Sequence, residues 1–174
     1  VEMQAQHFFL PYDEYEALCV QFGIVEESSQ ITLVRFLHDL GIVLNFTDDV
    51  RVRDTNVLNP NWVTQGIYAL LNSSKLQKQN GLLARPQLRG LLPRDAYPNQ
   101  QRRFLLDMML KFELAYNMPD RQTLLIPDLI SKEQPAFAWE EANALQFAYQ
   151  YSVLPRSILH RFMVRQHQRV DEKI

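Results

Sequence analysis

Hydrophobic positions in the first third of the chain change their spacing at Gly41. Apolar residues within 33–40 recur at helical intervals on one side of a wheel, which predicts an amphipathic helix ending at Gly41. These residues are Leu33, Val34, Phe36, Leu37 and Leu40. Residues 42–46 then predict a short strand, and apolar positions from Val50 to Leu58 predict a second, irregular strand after a polar turn. A helix followed directly by a β-hairpin is therefore expected.

A second helix is expected immediately after this hairpin. Asn59 is a favourable N-cap, and Pro60 suits the first helical position because its missing N–H group would have no partner there. Trp62 falls one turn into this helix, where a packed core position is favoured over an exposed anchor for a partner. The order helix, hairpin, helix is that of a winged helix, a module that binds rather than catalyses.

The segments on either side extend this mixed pattern. Pro11 opens an earlier helix that Gly23 ends, and Ser28 or Ser29 is the expected cap of the next helix. The polar residues 72–80 show no hydrophobic period and predict a loop.

The second half of the chain predicts fewer and shorter elements. Residues 104–112 carry a clear helical stripe, and residues 112–126 alternate around a turn as in a hairpin. Residues 131–143 suggest a domain boundary, 145–151 alternate as in a strand, and 158–163 predict a helix. One strand and one helix cannot make a sheet domain. The predicted class is α+β: a winged-helix-like subdomain of helices and small antiparallel hairpins, then the truncated start of a second α/β subdomain.

Composition narrows the functional classes. The 174 residues are 47% hydrophobic and 22% charged, as in an ordinary globular protein, with a net charge of -2 that argues against a general nucleic-acid binder. The single cysteine, Cys19, excludes an internal disulfide and fits a reducing compartment. No apolar run approaches the length of a membrane span, and the first residues lack the pattern of a signal peptide. We expect a cytoplasmic protein with no membrane insertion.

A search for catalytic chemistry finds no enzyme signature. None of the five glycines is followed by Lys-Ser or Lys-Thr, so the chain has no phosphate-binding P-loop. The histidines and Cys19 lack the spacing of a metal site, and the paired carboxylates at Asp48-Asp49 and Glu140-Glu141 fall in expected loops. For His38, a structural role that packs the ring and bonds the backbone is favoured over a catalytic one. We therefore expect no catalytic, metal or cofactor site.

One basic cluster admits two interpretations. Arg161, Arg165 and Arg169, with His160 and His167, occupy one side of the last helix, opposite its apolar residues. They could contact an acidic partner, but a solvated helix side is favoured.

Several short motifs occur in an order that is more specific than any of them alone. They are Phe36-Leu37-His38-Asp39-Leu40-Gly41, Leu58-Asn59-Pro60, Lys111-Phe112-Glu113-Leu114, Ile126-Pro127-Asp128-Leu129 and Tyr149-Gln150-Tyr151 with Leu154-Pro155. In this order they resemble the COR domain of Roco proteins, the multidomain GTPases that include the leucine-rich repeat kinases. The resemblance spans residues 10–170.

This resemblance implies a fragment with two parts. Residues 1–134 would form the first COR subdomain, and residues 135–174 the beginning of the second. The implied function is a non-catalytic regulatory module that contacts the Roc GTPase domain in cis and relays its nucleotide state to dimerisation and effector domains. GTP or GDP with Mg²⁺ would bind the Roc domain, and a homodimer would form through the second subdomain.

The expected wing supplies the candidate interface. Its residues Asp48, Asp49, Arg51 and Arg53, together with the helix edge at His38, are the candidate contacts to the GTPase domain. The alternative function is a winged-helix nucleic-acid binder with both arginines on the wing. The neighbouring carboxylates argue against it because they would repel phosphate.

Overall fold

The computed structural model describes residues 9–46, 49, 55–133, 145, 147–155 and 157–169. Its helices are Tyr12–Gln21 (α1), Glu27–Asp39 (α2), Pro60–Leu71 (α3), Ser74–Lys78 (α4), Leu88–Leu91 (α5), Asn99–Lys111 (α6) and Ser157–Gln166 (α7). Its strands are Phe9–Pro11 (β1), Thr55–Val57 (β2), Leu82–Ala84 (β3), Tyr116–Asn117 (β4) and Thr123–Leu125 (β5). Short 3-10 helices cover Arg85–Gln87, Pro127–Leu129 and His167–Arg169. The class is α+β.

The strands form two small antiparallel sheets. β1 pairs with β2, with Phe9 opposite Val57, and the second sheet has the order β3-β5-β4. The expected strand at 42–46 is reduced, among the described residues, to one antiparallel bridge between Leu44 and Val57. β1 and Leu44 lie on opposite sides of β2, since both are paired with Val57. Most of the expected wing lies outside the described residues.

The larger core lies where α3 packs against α6. Gly66 permits a close approach, since a Cβ atom there would lie 2.6 Å from Cδ1 of Leu105. Trp62 is buried as expected, and its indole Nε1 donates a 3.0 Å hydrogen bond to the carbonyl of Ala96. Asn59 Oδ1 accepts from the Trp62 backbone N–H at 3.3 Å, which confirms the predicted cap.

A second, smaller core joins α1 to α2. Cys19 and Val34 are buried there, and the hydroxyl of Tyr15 donates a 2.6 Å hydrogen bond to the carbonyl of Gln30. Burial, with the nearby Cys19, raises the pKa of Tyr15 above its usual range, so this hydroxyl remains a donor at neutral pH. The buried Gln30 amide in turn donates to the Ile24 carbonyl at 2.8 Å.

Two local expectations are wrong. α2 begins at Glu27 with Glu26 as its N-cap, so neither Ser28 nor Ser29 caps it. Residues 72–80 contain α4, because the hydroxyl of Ser73 accepts from the Leu76 N–H at 3.4 Å and Leu76 is fully buried. One buried leucine in five residues produces no visible period, which explains why this helix was missed.

The expected strand at 145–151 is also wrong for its described positions. Residue 145 and residues 147–151 adopt no strand conformation, and their large side chains are exposed. Alternation predicts a strand only where a neighbouring strand supplies hydrogen bonds, and none pairs with these residues in the described part of the chain. Among the described residues no helix is long and apolar enough to span a membrane.

Candidate functional site

The candidate site begins where α6 ends. Phe112 caps α6, and Glu113 follows in the left-handed conformation with φ of 58°. Backbone hydrogen bonds hold this turn, including one of 2.9 Å from the Leu114 N–H to the Met109 carbonyl. A non-glycine residue in this conformation costs about 1–2 kcal/mol. The turn nevertheless places the Glu113 side chain against α7.

Glu113 binds two arginines of α7. Arg165 donates from Nε at 2.7 Å and from Nη2 at 3.1 Å, and the Nε of Arg161 lies 3.8 Å from Oε2 of Glu113. This forked geometry is the favoured arrangement of a guanidinium and a carboxylate. The hydrogen bond from Arg165 lowers the pKa of the Glu113 carboxyl below its usual value. We call these three residues the Glu113 junction.

Two further contacts attach α7 and the 3-10 helix that follows it. His160 Nδ1 lies 3.6 Å from Oδ1 of Asp128, and the His167 ring stacks on Tyr116 with centroids 4.4 Å apart. A cavity of about 270 Å³ lies between α7 and the end of α6. Its lining residues are Leu71, Phe112, Glu113, Leu114, Asp128, Ser157, His160 and Arg161.

α7 is therefore attached by its basic side, although Arg161 and Arg165 themselves stay 59% and 63% exposed. Its basic side contacts the rest of the molecule, whereas Ile158, Leu159 and Phe162 are exposed. The favoured solvated side is confirmed for Arg161 and Arg165, which remain mostly exposed, and both also pair with the carboxylate of Glu113 after α6.

The predicted interface residues reach this region through an aromatic cluster. The backbone N–H of Asn45 donates to His38 Nδ1 at 3.3 Å, and the His38 ring meets the Phe46 ring edge-on at 5.4 Å. Phe46 in turn meets Phe112 edge-on at 5.5 Å. His38 thus has the packing and backbone contact that the sequence favours. We call His38, Phe46 and Phe112 the aromatic cluster.

A cation and a carboxylate close the cluster on one side. Lys111 Nζ lies 4.8 Å above the Phe46 ring and 3.7 Å from Oδ2 of Asp49. His38 is thus part of the aromatic cluster, and Asp49 reaches the cluster through Lys111. Asp48, Arg51 and Arg53 lie outside the described residues.

Sequence reasoning missed the residues that connect these parts. Phe112 is 42% exposed, belongs to the aromatic cluster, and directly precedes Glu113 in the chain. The motif Lys111-Phe112-Glu113-Leu114 belongs to the resemblance, but no periodicity assigned Glu113 a role. The left-handed conformation also left no signal, since glycine or asparagine usually marks it.

Comparison with known proteins identifies the family. The family model of the COR-A domain, described as C-terminal of Roc, matches residues 1–130. The chain belongs to the COR-A family of Roco proteins. Roc and COR also appear in the names of proteins that the chain resembles.

Relatives and a solved structure extend this match. The chain is 27% identical to a probable serine/threonine-protein kinase, pats1, of Dictyostelium discoideum over 90% of its length, and 25% identical to a Roc-COR-CHAT protease of Runella zeae over 95%. It spans only 5% and 18% of those proteins. It is also similar to Methanosarcina barkeri Roco2 RocCORdC bound to GDP, with a TM-score of 0.64 and 36% identity over 74% of this chain and 42% of that chain.

Proposed function

We propose that this COR-A chain contacts a Roc GTPase domain in cis and relays its nucleotide state to the parts that follow. The observation that carries the proposal is the attachment of α7 to COR-A by ion pairs and one ring stack. Exposed ion pairs are weak in water, so a small change in COR-A is enough to shift the position of α7. The aromatic cluster and Glu113 supply the contacts through which such a change would pass.

A relay needs one surface that contacts the Roc domain and a second surface that passes the change on. The predicted Roc-facing end is the expected wing with His38 and Asp49, which the aromatic cluster joins to the end of α6. The other end is the exposed apolar side of α7, formed by Ile158, Leu159 and Phe162. A homodimer through the second COR subdomain would use surfaces of that second part.

The finer architecture belongs to the same proposal. We assign residues 1–134 to a winged-helix-like first subdomain, supported by the helix order around the Leu44–Val57 bridge, and residues 135–174 to the start of the second. The cofactors of the parent protein, GTP or GDP with Mg²⁺, would bind the Roc domain. We assign the chain to the cytoplasm, without membrane insertion. We propose no nucleic-acid partner because the net charge is -2.

A calorimetric titration tests the relay. The chain is titrated with the Roc domain of its own parent, loaded with GDP or with a non-hydrolysable GTP analogue. We expect dissociation constants that differ by about 5–150-fold between the two states, the usual range of coupling between sites. Equal affinities would show a passive scaffold and contradict the relay, and binding to neither form would contradict the cis contact.

A charge-reversal variant locates the contact in the same titration. Arg51→Glu combined with Arg53→Glu should weaken Roc binding without changing the melting temperature, because rim charges act on association more than on folding. Lys132→Glu, an exposed charge reversal elsewhere, serves as the control. Unchanged affinity in the double variant would remove the wing from the interface.

A further inference from the structure

α2 carries a partly exposed apolar stripe beside its buried side, and one of its residues, Leu33, also packs against the smaller core. Val34 of α2 is buried in the smaller core, whereas Phe36 and Leu40 are 58% and 56% exposed. The stripe consists of Ser29, Leu33, Phe36 and Leu40, at intervals of four, three and four residues. This spacing places the four side chains on one line along the helix surface. We call this line the outer stripe.

Two shallow depressions make the outer stripe a continuous surface. One, of about 430 Å³, is lined by Ser28, Ser29, Thr32, Leu33 and Phe36. The other, of about 400 Å³, is lined by Gly23, Ile24, Val25, Glu26 and Ser29. They share Ser29, so the surface continues to Val25, which is 70% exposed. With a rise of about 1.5 Å per residue, α2 offers a surface about 20 Å long.

The segment that forms α1 and α2 is acidic in sequence. Residues 12–42 contain six carboxylates and one guanidinium, while the whole chain has a net charge of only -2. These charges are Asp13, Glu14, Glu16, Glu26, Glu27, Asp39 and Arg35. Glu26 lines one depression, and Asp39 directly precedes Leu40 at the other end. A binding partner must therefore combine apolar groups with positive charge.

We propose that the outer stripe binds a basic amphipathic helix supplied by another protein. The apolar face of that helix would contact Val25, Phe36 and Leu40, and flanking lysines or arginines would meet Glu26 and Asp39. A helix fits because ridges at four-residue spacing interlock with those of another helix. Ser29 and Thr32, between the apolar residues, leave room for its backbone. This inference does not depend on the relay, since it uses neither the wing nor the Glu113 junction.

Peptide binding to the full chain tests the proposal. The probe is a fluorescent helix-forming peptide of about 15 residues, with leucines on one face and lysines beside them. Fluorescence anisotropy at about 50 mM and about 300 mM salt measures the affinity, which we expect to fall at high salt because charges contribute. Phe36→Ser should weaken binding at least about tenfold, since it removes a large apolar contact. Asp39→Lys should weaken binding and reduce its salt dependence.

Matched controls distinguish binding at the outer stripe from nonspecific binding of the peptide. Tyr68→Ser removes an equally exposed aromatic side chain from α3 and should leave affinity unchanged. An isomeric peptide with its leucines spread around the helix should bind much more weakly. The proposal is overturned if Phe36→Ser and Asp39→Lys, both with wild-type melting temperatures, keep full affinity, or if the isomeric peptide binds equally well. Binding only to anionic lipid vesicles would overturn it by assigning the surface to a membrane.

Discussion

At the scale of single residues, Glu113 is the point on which most of the described site depends. It occupies a backbone conformation that glycine adopts more easily, and its carboxylate forms ion pairs with Arg161 and Arg165 of α7. A glycine at this position would relieve the backbone but leave α7 without its main ionic contact. The glutamate therefore contributes to the attachment of α7 at the expense of local backbone stability.

Substitutions at Glu113 should separate these two effects. Glu113→Gln and Glu113→Gly should both speed hydrogen exchange in α7, because Arg161 and Arg165 lose their partner. Glu113→Gly should also raise the free energy of unfolding of the rest of the molecule, by up to about 1 kcal/mol, as left-handed strain is removed. Restored protection in Glu113→Arg with Arg165→Glu would show that the charge pair itself is responsible. Unchanged exchange in both single variants would contradict the junction.

The attachment of α7 should also depend on pH. Because Arg165 lowers the folded-state pKa of Glu113 below the ordinary value of 4.5, the ionised pair stabilises attachment above that value and is lost as pH falls through the lowered pKa. NMR signals of His167 and Tyr116 should report a step in this acid range that Glu113→Gln abolishes. Asp120→Asn is the control, since the pKa of Asp120 is also lowered, by hydrogen bonds from Thr123. Loss of the step in Asp120→Asn would show that Asp120, and not Glu113, produces it.

At the scale of elements, the contact between α3 and α6 determines the larger core. A methyl group on Gly66 would lie 2.6 Å from Leu105 and 2.9 Å from Tyr97, so these side chains must move. Nothing comparable surrounds Gly90 in α5, where an added Cβ has no neighbour within 4 Å. The two glycines therefore have different roles in otherwise similar helical surroundings.

Alanine substitutions should reveal this difference. Gly66→Ala should lower the free energy of unfolding by about 1–3 kcal/mol through overpacking, while Gly90→Ala should be neutral or stabilise by up to about 1 kcal/mol. Denaturant unfolding of both variants measures the difference. Equal stability of the two would mean that the ends of Leu105 and Tyr97 move aside at no cost.

The elements also show what the sequence can and cannot predict. α6 and the Asn59-Pro60 start of α3 were predictable because strong periodicity and cap chemistry are local. β1 was missed, because three residues are too few for a pattern and their partner lies far along the chain. The exposure of the apolar side of α7 could not be predicted either, since periodicity identifies an apolar face but not the residues that cover it. Of the candidate site, His38 and Asp49 were named, whereas Glu113 depended on tertiary contacts.

At the scale of the whole molecule, two cores are joined through β1. The smaller core holds α1 against α2, and the larger core contains α3 and α6. Phe9 of β1 bridges toward the larger core, with its ring edge-on to Trp62 at 4.9 Å and to Phe104 at 5.1 Å. The acidic outer stripe belongs to the smaller core and the Glu113 junction to the larger one. The outer stripe and the Glu113 junction thus lie in different structural units, although the proposed relay also uses His38 of α2.

The buried thiol of Cys19 gives this division an observable consequence. It is the single cysteine of the chain and lies between α1 and α2, so a thiol reagent reaches it only when that pair opens. We expect slow labelling of the native chain, at a rate that Tyr15→Phe increases, because it removes the hydrogen bond to Gln30. Gly66→Ala should change this rate little if the cores open separately. Labelling kinetics at one sulfur atom would then distinguish local opening of the helix pair from global unfolding.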